Sequence, residues 1–238
     1  MKHEVLYKPS YAMLKVDFGT NESLQAEAGA LVSMSPEVDV TTSLNAGGKK
    51  DRGFIGKIFA FFFSILVAFM RKIVGGESMF VNTFTTSADS SEVLLAPTVT
   101  GDIEHHQLNG NTIMVQAGSY LASTSGIELK MKFGGFQAWL SGEGLFFLQC
   151  SGEGDLWINS YGGIHIIEVD GEYDVDTGHL VAFEPSLEYQ VKTTGGFKST
   201  MLSGEGLSIG FKGTGKVWVQ TRKLDGFTGW ISPLLPKS

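Results

Sequence analysis

Alternating apolar and polar positions recur along the chain. Ile127, Leu129, Met131 and Phe133 alternate with Glu128, Lys130 and Lys132, and Tyr189 and Val191 alternate with Glu188, Gln190 and Lys192. Successive strand residues face opposite sides of a sheet, so this period of two predicts strands with one buried and one wet face. Residues 54–74, from Phe54 to Val74, break the pattern with a long apolar run that holds no turn signal. Strands seldom exceed ~10 residues, so this run is expected to be helical.

The strand pattern comes in copies. An alternating stretch that ends on a glycine and a short apolar run occurs at Ser23–Val32, Thr112–Leu121 and Tyr173–Val181. A Gly-Glu pair before an apolar strand follows each, at Gly76-Glu77, Gly142-Glu143 and Gly204-Glu205. Copies two and three also end alike, in Gly152-Glu153-Gly154-Asp155-Leu156-Trp157-Ile158 and Gly213-Thr214-Gly215-Lys216-Val217-Trp218-Val219. Recurrence in fixed order is the mark of a repeat architecture. A unit of this size cannot cover its own apolar face, so three repeats, about 1–100, 101–162 and 163–230, are expected to close around one core as a single domain. The 31 glycines, six prolines and 17 phenylalanines fit an all-β class with short strands and glycine turns.

Gly29 and Gly76 stand 47 residues apart, against 24 from Gly118 to Gly142 and 26 from Gly178 to Gly204. The first repeat therefore carries an insertion, about 49–74, that includes the apolar run. Its uncharged centre, Ile58–Met70, makes about 20 Å of helix, too short for a bilayer core of ~30 Å. Lys49, Lys50, Arg52, Lys57, Arg71 and Lys72 bracket it, so 49–72 carries +5 and the rest of the chain −12. Two roles are open. Basic ends around Phe59, Phe62, Phe63, Leu66 and Phe69 suit contact with an anionic membrane surface. The same apolar residues equally suit burial against the β core or a second copy of the chain, and Gly56, Ala60, Ser64 and Ala68 form a stripe of small residues that would let helices approach closely.

Candidate chemistry is sparse. Glu77, Glu143 and Glu205 occupy equivalent places, where they either close glycine turns or converge near a pseudo-threefold axis to line a pocket for a cation or small molecule. His105 and His106 are adjacent on a strand and point to opposite faces, and His3, His165 and His179 share no ligand spacing with them, so no metal site is expected. Cys150 follows an apolar strand and is expected to be buried and inert. As the one cysteine it leaves no intramolecular disulfide, and a reducing compartment fits. Ser141-Gly142-Glu143-Gly144 lacks the Lys-Ser/Thr of a phosphate loop. A net charge of −7 disfavours nucleic acid as a partner. The residues from Met1 to Pro9 have no apolar signal region, which makes the cytoplasm the expected location, with peripheral attachment at the inner face of the membrane open.

Ala28-Gly29-Ala30-Leu31-Val32, the run from Gly75-Gly76-Glu77-Ser78-Met79-Phe80 through Val81-Asn82-Thr83-Phe84, and Leu140-Ser141-Gly142-Glu143-Gly144-Leu145-Phe146 resemble the family associated with altered inheritance of mitochondria, in its bacterial and archaeal branch. The resemblance covers nearly the whole chain. It implies a double-stranded β-helix, or shallow barrel, of three repeats, similar to the fold of the tryptophan RNA-binding attenuation protein. Mitochondrial members are linked to inner-membrane organisation, and the resemblance carries over no catalytic residue. The expectation is a non-enzymatic, cofactor-free scaffold or binding protein, homo-oligomeric, that meets a membrane or its own copies through 49–74. The alternative is a small-molecule or metal-binding protein with a pocket near the axis.

Overall fold

The computed structural model describes residues 1–44, 80–88, 90–133, 146–193 and 207–235. The first strands are β1 (Lys2–Leu6), β2 (Met13–Phe18), β3 (Ser23–Glu27), β4 (Leu31–Met34), β5 (Val38–Leu44), β6 (Phe80–Thr86) and β7 (Ser91–Leu95). After them come β8 (Ile103–Gln116), β9 (Tyr120–Thr124), β10 (Ile127–Phe133) and β11 (Phe146–Asn159). The last set is β12 (Ile164–Asp176), β13 (Leu180–Phe183), β14 (Glu188–Thr193) and β15 (Leu207–Gln220), followed by the helix α1 (Leu224–Ile231). The chain is predominantly β, as its alternation requires.

All strand pairs among the described residues are antiparallel. β11 is flanked by β8, β9 and β10 along its length, and β15 by β12, β13 and β14 in the same way. In the N-terminal part the flanked role is divided, with β6 between β3 and β5, and β7 between β2 and β4. These sets are joined where β9 adds to β3 and β13 adds to β8. The result is an eleven-stranded sheet and a four-stranded sheet ordered β1-β2-β7-β4.

The expected barrel does not form. β4 pairs with β7 alone and β12 with β15 alone, so both present free edges among the described residues. The turns after β3, β8 and β12 nevertheless meet at one place, described below.

Burial follows the predicted alternation. Leu14, Val16 and Phe18 of β2 are buried, with Met13, Lys15 and Asp17 half-exposed between them. Each such side chain contributes roughly 1.5–3 kcal/mol on leaving water. Together with Leu24, Phe84, Val93, Leu121 and Trp157 they form a core that joins the two sheets. A second core around Val115, Leu156 and Ile158 and a third around Phe183, Ile209 and Phe211 run along the larger sheet. In β14, Val191 is buried and Lys192 exposed, as predicted. In β10, Ile127 and Leu129 are buried but Met131 is 41% exposed. Among the described residues β10 pairs with β11 alone.

Long strands bend at glycines. Between Ser151 and Glu153 the β8–β11 register shifts, and Gly152 holds φ at +127°. A Cβ there would stand 2.2 Å from the Gly126 carbonyl oxygen, so only glycine fits.

Helix α1 was not anticipated. Asp225 in its first turn suits the positive end of the helix dipole, and Pro233 sits in the 3-10 turn that ends it.

Candidate functional site

The three glycine turns picked out by sequence recurrence form the wall of a cavity of about 540 Å³. Glu27 and Ala28 come from the turn after β3, Gln116 to Ser119 from that after β8, and Thr177 and Gly178 from that after β12. The segments that leave each set of strands complete it through Thr98 and Val99, then Asn159 and Tyr161, then Gln220, Leu224 and Asp225.

Hydrogen bonds hold this wall in place. Gln220 accepts from the Tyr161 backbone N–H at 2.8 Å and donates from Nε2 to the Gly178 carbonyl at 2.9 Å, so its amide clamps two wall segments. His179 Nδ1 lies 2.7 Å from the Gln220 carbonyl oxygen. Asp176 accepts from the Gly178 N–H at 2.8 Å and from Lys223 Nζ at 3.1 Å. Thr177 donates to the Leu207 carbonyl at 3.0 Å. The parallel bridge between Gly101 and Gly162 ties the two neighbouring linkers, and the Ser160 carbonyl would stand 1.8 Å from a Cβ at Gly101.

One group in the wall is left over. Asn159 is 3% exposed, and its Nδ2 has no hydrogen-bond partner. A buried amide donor without a partner costs ~1–3 kcal/mol, and unpaired polar groups in a folded core are uncommon. Among the described lining residues the charges are those of Glu27 and Asp225, with no Lys or Arg. The cavity is therefore lined by a residue with an unpartnered amide and, in its charged groups, by acids. That combination accepts a neutral or cationic molecule with a hydrogen-bond acceptor and disfavours an anion.

The histidines sort as strand geometry requires. His106 packs edge-on against Trp218, with ring centroids 5.2 Å apart, and burial beside His105 pulls its imidazole down to about 4. Trp218 Nε1 donates to Glu104 at 3.0 Å, and burial raises that carboxyl above its usual value. His105 turns to the other face, where Nε2 meets Asp155 Oδ1 at 2.7 Å and the His3 ring at a centroid distance of 4.2 Å. Partial burial, then the neighbouring His105, holds His3 below its usual value. Local spacing could not foretell this meeting, because β1 and β8 are distant in sequence. The cross-strand diagonal between Asp155 and His105 does follow once the register of Trp157 against His105 is known.

Cys150 is fully buried, donates to the Leu148 carbonyl at 3.7 Å, and has its thiol pushed up to about 12 by that burial. The stretch 49–74, with its basic, aromatic and small-residue positions, lies outside the described residues, as do Glu77, Glu143 and Glu205.

The family model described as mitochondrial biogenesis AIM24 matches residues 3–222. An uncharacterised protein of Streptococcus pyogenes serotype M6 is 29% identical over 231 residues, covering 96% of this chain and 88% of that protein. The crystal structure of a Streptococcus pyogenes protein aligns at 27% identity with a TM-score of 0.78, covering 98% of this chain and 99% of that one.

Proposed function

The chain belongs to the mitochondrial biogenesis AIM24 family, and from that premise we propose that it is a non-enzymatic binding protein whose central cavity holds a small neutral or cationic polar molecule. The unpartnered Asn159 amide in the cavity lining carries this reading, since a turn of that side chain toward a bound acceptor would supply the hydrogen bond that the protein leaves unmade. The volume lies within the usual ~300–1,000 Å³ for small-molecule sites. Its walls come from three similar turns, which favours a three-repeat β-helix architecture with the cavity on its axis. Glucose, glycerol, betaine and spermidine at millimolar concentration, tested by thermal shift, form a first panel. At least one should stabilise the wild type and leave Asn159→Leu unmoved. Equal shifts in both proteins, or none in either, would defeat the reading.

A second reading, attachment to an anionic membrane surface, is favoured by a different observation. Trp230 is 66% exposed, and Leu224, Phe227, Leu234 and Leu235 are exposed beside it in and after α1. Such an apolar group is unusual on a free surface and suits a membrane interface. The basic flanks of 49–74 would add charge attraction, placing the protein at the inner face of the membrane. No described helix is long and apolar enough to cross a membrane. Co-sedimentation with anionic and neutral vesicles at low and high salt tests it. Salt-sensitive binding is expected, lost on reversing Lys49, Lys50, Arg71 and Lys72. A wild type that ignores both vesicles but shrinks in oligomer size when 49–74 is deleted would instead give that surface to self-association.

A further inference from the structure

We infer that His3, His105 and Asp155 form a binding site for a divalent first-row transition-metal ion of the Zn2+ type, separate from the central cavity. His3 from β1, His105 from β8 and Asp155 from β11 each offer one ligand atom, and these atoms lie within 4.8 Å of one another. Two imidazole nitrogens and a carboxylate oxygen are a donor set that zinc and its neighbours accept, with a fourth position left for water. Around an ion about 2.0–2.2 Å from each ligand, tetrahedral donors stand about 3.4 Å apart. The His105–Asp155 pair, at 2.7 Å, has to open slightly and the His3 contact to close, movements that side-chain rotation supplies at a half-exposed site.

The surroundings orient the ligands. Trp157 is fully buried beneath the cluster, its ring 5.1 Å from that of His3 and 5.5 Å from that of His105. An indole wall restricts both imidazoles to positions above it, and Asp155 is held by its own backbone, whose N–H donates to Thr124 Oγ1 at 2.9 Å. His3 reaches the site because β1 pairs with β2 in a fixed register, with His3 opposite Val16. The three donors thus come from hydrogen-bonded strands.

An ordinary His105–Asp155 ion pair with His3 stacked beside it is the competing account, and metal binding separates the two. Tag-free full-length protein, stripped with chelator, is dialysed against Zn2+ at micromolar concentration, and metal per chain is counted. One ion per chain is expected, with affinity at least ~10-fold weaker in each of His3→Ala, His105→Ala and Asp155→Asn. His165→Ala, at an exposed position on β12, should bind as the wild type does. His3 is exposed on a short strand, so His3→Ala stays informative even if His105→Ala folds poorly, which circular dichroism would reveal. Co2+ gives an independent readout, a visible ligand-field band that shifts when either imidazole is removed. Substoichiometric zinc, equal affinity in all variants, or loss confined to a single variant overturns the three-donor site.

Discussion

Replacing Asn159 with leucine should make the ligand-free protein more stable. The side chain is 3% exposed and its Nδ2 finds no partner, so folding costs that donor its hydration with no protein hydrogen bond in return. The penalty for such a group is ~1–3 kcal/mol, and leucine keeps the number and branching of side-chain heavy atoms with no polar atom to desolvate, though its methyl groups are bulkier. Allowing for imperfect packing of the new methyl groups, a gain of about 1–2 kcal/mol is expected. At ~2–4 °C per kcal/mol for a chain of this size, the melting temperature should rise by roughly 2–8 °C. Urea titration and calorimetry on extensively dialysed protein measure it. Saturating ligand reverses the order, because a ligand at a hundred times its Kd stabilises the wild type by ~2.7 kcal/mol and leaves the variant unaffected. A stability gain bought by removing a site group is the usual sign of function held against folding. Destabilisation of the dialysed variant by 1 kcal/mol or more would mean that Asn159 is satisfied in the folded protein, and the reasoning would fail.

Other expectations are local. Gly152→Ala forces a Cβ to 2.2 Å from the Gly126 carbonyl at a φ of +127°, and should cost more than ~1 kcal/mol in urea unfolding, whereas Gly171→Ala, with open space around its Cβ, should cost less. His106 is held neutral in the fold with its pKa near 4 against about 6.5 unfolded, so protons favour the unfolded state as the pH falls. The stability of wild type over His106→Gln should therefore shrink by up to about 3 kcal/mol from pH 7 to pH 4, and a pH-independent difference would contradict the burial argument. Cys150 should resist a thiol reagent in native buffer and react fully in urea, since its thiolate is disfavoured and its sulfur inaccessible. Trp230→Ser with Phe227→Ser should leave the melting temperature within a few degrees, because neither side chain is buried, while weakening vesicle binding.

Strands were legible wherever one face is buried. The alternation of β14 translates directly into burial, because a strand's side chains have only two directions to point. Met131 failed that test since alternation records which face a residue takes, not whether anything covers it. The recurring glycine segments at Gly29, Gly118 and Gly178 were visible as a pattern, and they proved to be the cavity wall as well as strand ends. The cavity itself was not legible, because its lining runs from Glu27 to Asp225 and the isolation of Asn159 is a property of packing alone. The barrel expectation went beyond the residues, which specify strand faces but not whether the edges of β4 and β12 meet. The His3 contact with His105 depends on how the smaller sheet lies on the larger, which no local spacing encodes.

A ligand that completes the hydrogen bonding of Asn159 should be visible in a crystal structure of the full chain soaked in the polyol and amine panel. The expected result is a bound molecule in the cavity with an acceptor atom about 3 Å from Asn159 Nδ2. Ordered water alone at that position, or a molecule seated so that the amide stays unpartnered, would contradict it.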